Sequence, residues 1–176
     1  SDNDYNFAGR PPLRLDLIIE YNNLNIPISL VNLHMKCCDS GLKRRQKASQ
    51  MLFEYLNNEI SNTGYSNFIV LGDWNDDLKD EPDEHCFNPF VEDDKYYFLT
   101  DRIDDDVKFA SYPKEPYLSF LDHIMTTADF IENTSDVHVE TVMIEDYIGG
   151  YEIYELLMSD HRPVMFSIPF SKLPRN

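Results

Sequence analysis

The sequence predicts a layered α/β or α+β domain. Three observations point there: two apolar strand-like segments joined by a turn, one long stretch with helical apolar spacing, and a short, wholly apolar strand after it. Strands mixed with a long helix bury their apolar faces by stacking in layers. At 176 residues, with 42% hydrophobic and 13% aromatic content, the chain supports one globular domain, 1–176, with its core over about 10–170.

The first strand is Leu15-Asp16-Leu17-Ile18-Ile19-Glu20-Tyr21. Asn22-Asn23-Leu24-Asn25 reads as a turn, and Ile26 to Leu33 as the returning strand of a hairpin. Period-two alternation sends Leu30, Asn32 and His34 to one face and Val31 and Leu33 to the other. A loop follows, then a helix that Ser40 is placed to cap. Its apolar face consists of Ala48, Met51, Leu52, Tyr55, Leu56 and Ile60, and Gly64 ends it. Asn67 to Leu71 is short and almost wholly apolar, the pattern of a strand buried on both faces.

From Asp76 to Ser111 the periodicity fades into acids, prolines and scattered aromatics, which reads as irregular loops with short helical pieces. Asp104-Asp105-Asp106 lacks calcium-loop spacing and reads as a solvated acidic loop. Further strands are expected around Phe120 to Met125 within the stretch Tyr117 to Thr126, at Val137 to Ile144, and at Pro163 to Pro169. There is no internal repeat.

The net charge is −17. A field of that sign repels polyanions and argues against duplex nucleic acid as a partner, because such binding needs a basic footprint. It is compatible with a small phosphorylated substrate and with a site that gathers divalent cations. No apolar run approaches the ~20 residues that span a bilayer, and no signal peptide is evident; nothing in the sequence assigns a compartment. The chain has three cysteines, Cys37, Cys38 and Cys86. An odd count argues against a fully paired disulfide framework, and adjacent cysteines do not have zinc-site spacing, so they read as free thiols beside a loop.

Polar residues gather where apolar strands begin or stop. The stretches are Arg10-Pro11-Pro12, Asn32-Leu33-His34-Met35-Lys36, Gly72-Asp73-Trp74-Asn75, Ser119-Phe120-Leu121-Asp122-His123 and Ser159-Asp160-His161. Taken singly, each has an ordinary reading: Asp73 and Asn75 suit a turn, Ser159 a helix cap, and His34 a hydrogen-bonded strand end. His85 and His138 have no polar constellation around them and read as structural. Strand ends on a rigid sheet are also where active sites are built.

In order, the motifs read RPPL, NLHMK, GDWN, SFLDHI, SDHRPV. This series closely resembles the second half of the endonuclease/exonuclease/phosphatase superfamily, over about Arg10 to Phe170. The resemblance implies a fold that is the second half of a deoxyribonuclease I-like four-layer β-sandwich, incomplete in this chain. It implies a metal-dependent phosphoesterase, with Mg²⁺ (or Mn²⁺ or Ca²⁺) as cofactor. Asp73 matches the residue that orients or deprotonates the attacking water, and Asn75 the amide that holds a phosphate oxygen. His161 matches the terminal histidine, and Asp122 the carboxylate that orients it. Asp160 matches a metal carboxylate. His34 matches a histidine that contacts phosphate or assists the leaving group. Lys36 and Ser119 occupy positions that reach the phosphate. Trp74, between Asp73 and Asn75, is expected to point the other way and pack.

The family's first half carries an early asparagine and a glutamate in a Gln-Glu motif, both on the metal. No Gln-Glu pair occurs in this sequence. The chain therefore reads as a C-terminal portion of an enzyme, inactive on its own, with an incompletely covered sheet that favours self-association. The expected substrate is a small or lipid-linked phosphate ester. The alternatives are a nuclease of the same superfamily and a non-catalytic remnant or binding module.

Overall fold

Two asparagines turn the first hairpin. Asn22 and Asn23 both have positive φ, 49° and 64°, the backbone that a tight two-residue turn requires and that asparagine tolerates well. The turn joins β1 (Leu13–Tyr21) to β2 (Leu24–His34), which pair antiparallel from Leu13↔Asn32 to Tyr21↔Leu24. The computed structural model of the chain describes residues 2–103, 105–131 and 136–172.

After β2 a 3-10 turn (Asp39–Gly41) leads into α2 (Leu42–Thr63); a short α1 (Asp2–Asn6) precedes the hairpin. The cap differs from expectation. Gly41 occupies the N-cap with no side-chain cap bond, because the 3-10 turn moves Ser40 out of the capping position. Gly64 closes α2 in the left-handed conformation, φ 68°. Ala48, Leu52 and Leu56 are buried, and Met51 and Ile60 pack beside them. Tyr55 lies at the edge of that face and is exposed; its hydroxyl accepts from Arg14 Nη1 at 2.7 Å.

The main sheet has the order β1-β2-β3-β5-β4. β3 (Phe68–Asp73) lies at its centre, parallel to β2 and antiparallel to β5 (Asp122–Thr127), which pairs with β4 (Tyr96–Phe98). The strand expected around Phe120–Met125 thus begins two residues later, at Asp122, and runs to Thr127. Residues before it are held instead by a Tyr112↔Ser119 bridge and by Ser111 Oγ, which accepts from the amides of Leu121 and Asp122. β4 lies inside the stretch that lacks periodicity; three residues are too few to establish a pattern. The rest of that stretch is irregular with short turns, including α3 (Asn88–Val91). Asp104 lies outside the described residues; Asp105 and Asp106 are exposed. β6 (His138–Thr141) and β7 (Val164–Ser167) form a separate two-stranded sheet, with α4 (Glu145–Ile148) and α5 (Tyr151–Leu157) between them.

Alternation along β3 divides the core. Phe68 and Val70 face α2 and pack with Val31, Leu33, Leu52, Leu56 and Met125. Ile69 faces away and packs with Ile28, Leu99, Ile124 and Phe130, with Val139 and Val164 of the small sheet alongside. This is the mixed α/β layering predicted, built on one five-stranded sheet. Leu13, Leu15, Leu17 and Ile18 on edge strand β1 are exposed, so the sheet does keep an apolar margin that nothing in the described chain covers. No helix among the described residues is long and apolar enough to cross a membrane.

Candidate active site

Sheet register brings the polar groups together. The last ladder pair of β2 and β3 is His34↔Asp73, and the last of β3 and β5 is Asp73↔Asp122. Three neighbouring strands therefore end on His34, Asp73 and Asp122, in line across the sheet and on the face away from α2. Adjacent strands are about 4.8 Å apart, so side chains in register are in reach of one another.

Gly72 allows β2 and β3 to come this close at their ends. It has φ 136°, and a Cβ there would lie 2.0 Å from the Leu33 carbonyl oxygen. No other residue fits, and Gly72 sets the position from which Asp73 projects. The chain then turns sharply. The Asn75 amide donates to Asp73 Oδ1 at 2.8 Å, and Asn75 adopts φ 56°, an Asx-type turn. Asn75 Nδ2 donates to the Met35 carbonyl at 3.2 Å. Trp74 points to the opposite face, fully buried against Phe87, Phe90 and Phe98. The tight turn and the packed indole are two results of one alternation.

His161 arrives from the loop after α5. Its Nδ1 lies 2.7 Å from Asp122 Oδ2. The loop is pinned from several sides: Tyr154 Oη donates to the His161 carbonyl at 2.7 Å, and Ser159 Oγ accepts from the His161 amide at 3.0 Å. Arg162, next in the chain, is buried and donates to Glu145 Oε1 at 2.6 Å and to the carbonyls of Lys108 and Ala110. Ligand atoms of Asp73, Asp122 and His161 all lie within 4.8 Å of one another.

Electrostatics follow from that crowding. Burial, and then the charge of Asp122, push the Asp73 carboxyl up to about 6. The hydrogen bond to Asp122 raises the His161 imidazole above its ordinary value, against the effect of burial. His34 is lowered, first by burial and then by the Arg10 guanidinium. Arg10 Nη1 lies 3.0 Å from His34 Nδ1, and Arg10 Nη2 donates to the Met35 carbonyl at 3.1 Å. His34 Nε2 is also 3.3 Å from Asp73 Oδ2.

A cavity of about 1390 Å³ opens over these groups, lined by His34, Asp73, Asn75, Ser119, Asp122, Asp160 and His161 among others. Those seven are all but one of the residues that the motifs singled out. Two stand apart in detail. Lys36 is not among the lining residues; its Nζ lies 3.2 Å from Cys37 Sγ. Asp160 lines the cavity but is not part of the close Asp73–Asp122–His161 group. Sequence reasoning assigned no role to Arg10, although the RPPL motif flagged it, and none to Tyr112, whose ring centre is 5.1 Å from that of His161. It also passed over Arg45, whose buried guanidinium donates to Asp76 Oδ1 at 2.6 Å and to the carbonyls of Lys36 and Cys38. A basic residue in the first turn of an otherwise apolar helix face was the available signal.

Two carboxylates and an imidazole at one point suit a divalent cation that takes oxygen and nitrogen ligands. Burial, and then the charge of Asp122, disfavour the ionised Asp73 carboxylate, and a cation bound there would offset that cost.

No family model and no curated protein sequence matches the chain. Solved structures do. An endonuclease/exonuclease/phosphatase family protein from Bacteroides thetaiotaomicron is 18% identical with TM-score 0.46, covering 70% of this chain and 42% of its own. The human Nocturnin catalytic domain with bound sulfate is 18% identical with TM-score 0.49, covering 89% of this chain and 53% of its own. D. rerio TDP2 complexed with single-strand DNA product is 18% identical with TM-score 0.49, covering 88% of this chain and 61% of its own. The chain is thus similar along most of its length, at low identity, to solved structures that include an endonuclease/exonuclease/phosphatase family protein, and it spans 42–61% of the length of these three.

Proposed function

We propose that the chain carries the second half of a metal-dependent phosphoesterase site, hydrolysing a phosphate mono- or diester with an activated water. The observation that carries this reading is the convergence of Asp73, Asp122 and His161 from three separate segments. Each is supplied by a motif whose order matches a phosphoesterase superfamily.

In this reading Asp73 orients the attacking water and accepts its proton. Its raised carboxyl is suited to that task, since a base works best when its proton affinity is near the operating pH. Asn75 holds a phosphate oxygen. His161, oriented by Asp122, donates to the phosphate as charge develops on it. His34, steadied by Arg10, faces the phosphate or the leaving oxygen. Ser119 serves a remaining oxygen; Lys36, outside the cavity lining with its Nζ 3.2 Å from Cys37 Sγ, would have to swing its side chain to reach one. Asp160 would hold the cation, Mg²⁺ with Mn²⁺ or Ca²⁺ as alternatives. A bound cation supplies positive charge to the phosphate oxygens.

The acids on the cavity wall, Asp39, Asp77, Asp80 and Glu84 among them, support a small or lipid-linked ester over duplex nucleic acid. The test is hydrolysis of small phosphate esters by the full-length protein with and without Mg²⁺. A labelled duplex in fluorescence anisotropy is the companion measurement; micromolar binding with a steep salt dependence replaces this reading with a nuclease. The 176-residue chain by itself is expected to bind Mg²⁺ poorly and to turn over little, because one assigned carboxylate holds a strongly hydrated ion weakly. Robust turnover by the purified chain overturns that expectation.

The rate should depend on pH through Asp73. A base acts when ionised, so turnover is expected to rise with pH through about 6. The sign for stability is opposite. A carboxyl raised in the folded state binds its proton more tightly there than in the unfolded chain. Its contribution is present at low pH and is lost as pH climbs through about 6. Added cation favours the ionised form and should move the rising limb to lower pH. A pH–rate profile unchanged in Asp73→Asn would remove Asp73 from this role.

Self-association rests on the exposed Leu13, Leu15, Leu17 and Ile18 of β1. Light scattering at tens of micromolar chain is expected to give a mass above the monomer; a clean monomer disproves it.

A further inference from the structure

Cys37 and Cys38 are adjacent, yet their side chains meet. Neighbouring residues on an extended chain point to opposite sides. Here Cys38 adopts φ 70° and ψ 164°, a region otherwise reserved for glycine, and that backbone folds the two thiols together. Cys38 Sγ donates to Cys37 Sγ at 2.9 Å. The unusual backbone is held in place: Arg45 Nη1 donates to the Cys38 carbonyl at 2.8 Å, and the Gly41 amide donates to the same oxygen at 2.8 Å. Arg45 is itself anchored in a buried pair with Asp76.

The surroundings favour reaction. The Lys36 ammonium is 3.2 Å from Cys37 Sγ, a cation placed to stabilise a thiolate. The bond from Cys38, followed by Lys36, lowers the Cys37 thiol below its usual value. Cys38 is exposed, Cys37 is partly so, and both line the cavity. Cys86 is the opposite case: buried, with its thiol pushed well above the ordinary value by burial.

We propose that Cys37 and Cys38 are a redox-reactive vicinal dithiol that exchanges with low-molecular-weight disulfides of the glutathione class. The Cys37 thiolate attacks one sulfur of the small disulfide. A mixed disulfide forms on Cys37 and one small thiolate leaves. The Cys38 thiol loses its proton and attacks Cys37 Sγ, forming the Cys37–Cys38 bond and releasing the second small thiolate. In sum, two protein thiols and one small disulfide give one protein disulfide and two small thiols. Adjacent Cα atoms are about 3.8 Å apart across a trans peptide, closer than an unstrained disulfide prefers. The bond is therefore easily reduced, which makes the modification reversible. Its site is the mouth of the cavity.

The test uses the full chain with oxidised glutathione, followed by alkylation, digestion and mass spectrometry. The peptide holding both cysteines is expected to lose two hydrogens and to escape alkylation. Titratable thiols in denaturant fall from three to one, and dithiothreitol restores them. In Cys38→Ser the reaction should stop at a glutathione adduct on Cys37. In Cys37→Ser, Cys38 should react several-fold more slowly. If both cysteines stay alkylated, or Cys86 is consumed as fast, the proposal fails. If Cys38 in Cys37→Ser reacts as fast as the native pair, Cys37 is not the attacking sulfur and the proposed order of attack fails. The readout is sulfur chemistry alone, so failure here does not bear on the phosphoesterase reading.

Discussion

If the proposed phosphoesterase reading holds, replacing Asp122 by asparagine is expected to lower turnover by on the order of 10³- to 10⁴-fold while leaving the fold intact. The carboxylate accepts from His161 Nδ1 at 2.7 Å. It fixes which ring nitrogen carries the proton and supports the charged imidazolium. An amide of the same shape presents a donor or a neutral acceptor and does neither. The backbone of Asp122 is held separately, by the β3 ladder and by Ser111 Oγ, so the strand should survive the change. The hydrogen bond is also the main reason the imidazole is raised. A raised imidazole stabilises the fold below its unfolded value, and that contribution disappears as pH rises through the folded one. Asp122→Asn should flatten this dependence. Circular dichroism checks the fold, and steady-state kinetics measure the turnover. A near-normal rate would end the assignment of the dyad.

The second large effect concerns stability. Asp76→Ala is expected to destabilise the chain by about 3–5 kcal/mol, because it leaves a buried guanidinium without its partner. Both side chains of the Arg45–Asp76 pair are almost completely buried, and their contact is 2.6 Å. For a domain of this size the loss corresponds to a fall in Tm on the order of 10 °C. The double change Arg45→Met with Asp76→Leu should recover much of it, since replacing both charges by packed apolar groups removes the unpaired ion. A single variant that melts within a degree or two of the native chain would show that water enters and solvates the pair.

The gathering of the candidate residues was legible in the sequence because they lie at strand ends, where an apolar run makes the position of the next polar group predictable. Asp73 and Asn75 follow Phe68-Ile69-Val70-Leu71 directly, and alternation places Trp74 on the other face. The register of His34, Asp73 and Asp122 was not legible: pairing is decided between strands far apart in sequence, and no local pattern records it. β4 escaped notice at three residues. The Ser40 cap failed for a related reason. A 3-10 turn inserted before α2 shifts the helix start past Ser40, and short turns carry little periodicity. Tyr55 fits the apolar spacing of α2 yet stays exposed, because its hydroxyl bonds Arg14 at the edge of the sheet.

The chain has a single tryptophan. Trp74 sits between Asp73 and Asn75 in sequence, and its ring is enclosed by Phe87, Phe90 and Phe98. All indole fluorescence of the molecule therefore originates one residue from the groups that would meet a phosphate. Emission from the native chain should lie toward the blue and shift to the red on unfolding, reporting the core without a label. The same signal lies close enough to the cavity floor to test whether an added divalent cation reaches Asp73. A candidate site at the end of a buried strand thus carries its own optical reporter on the reverse side.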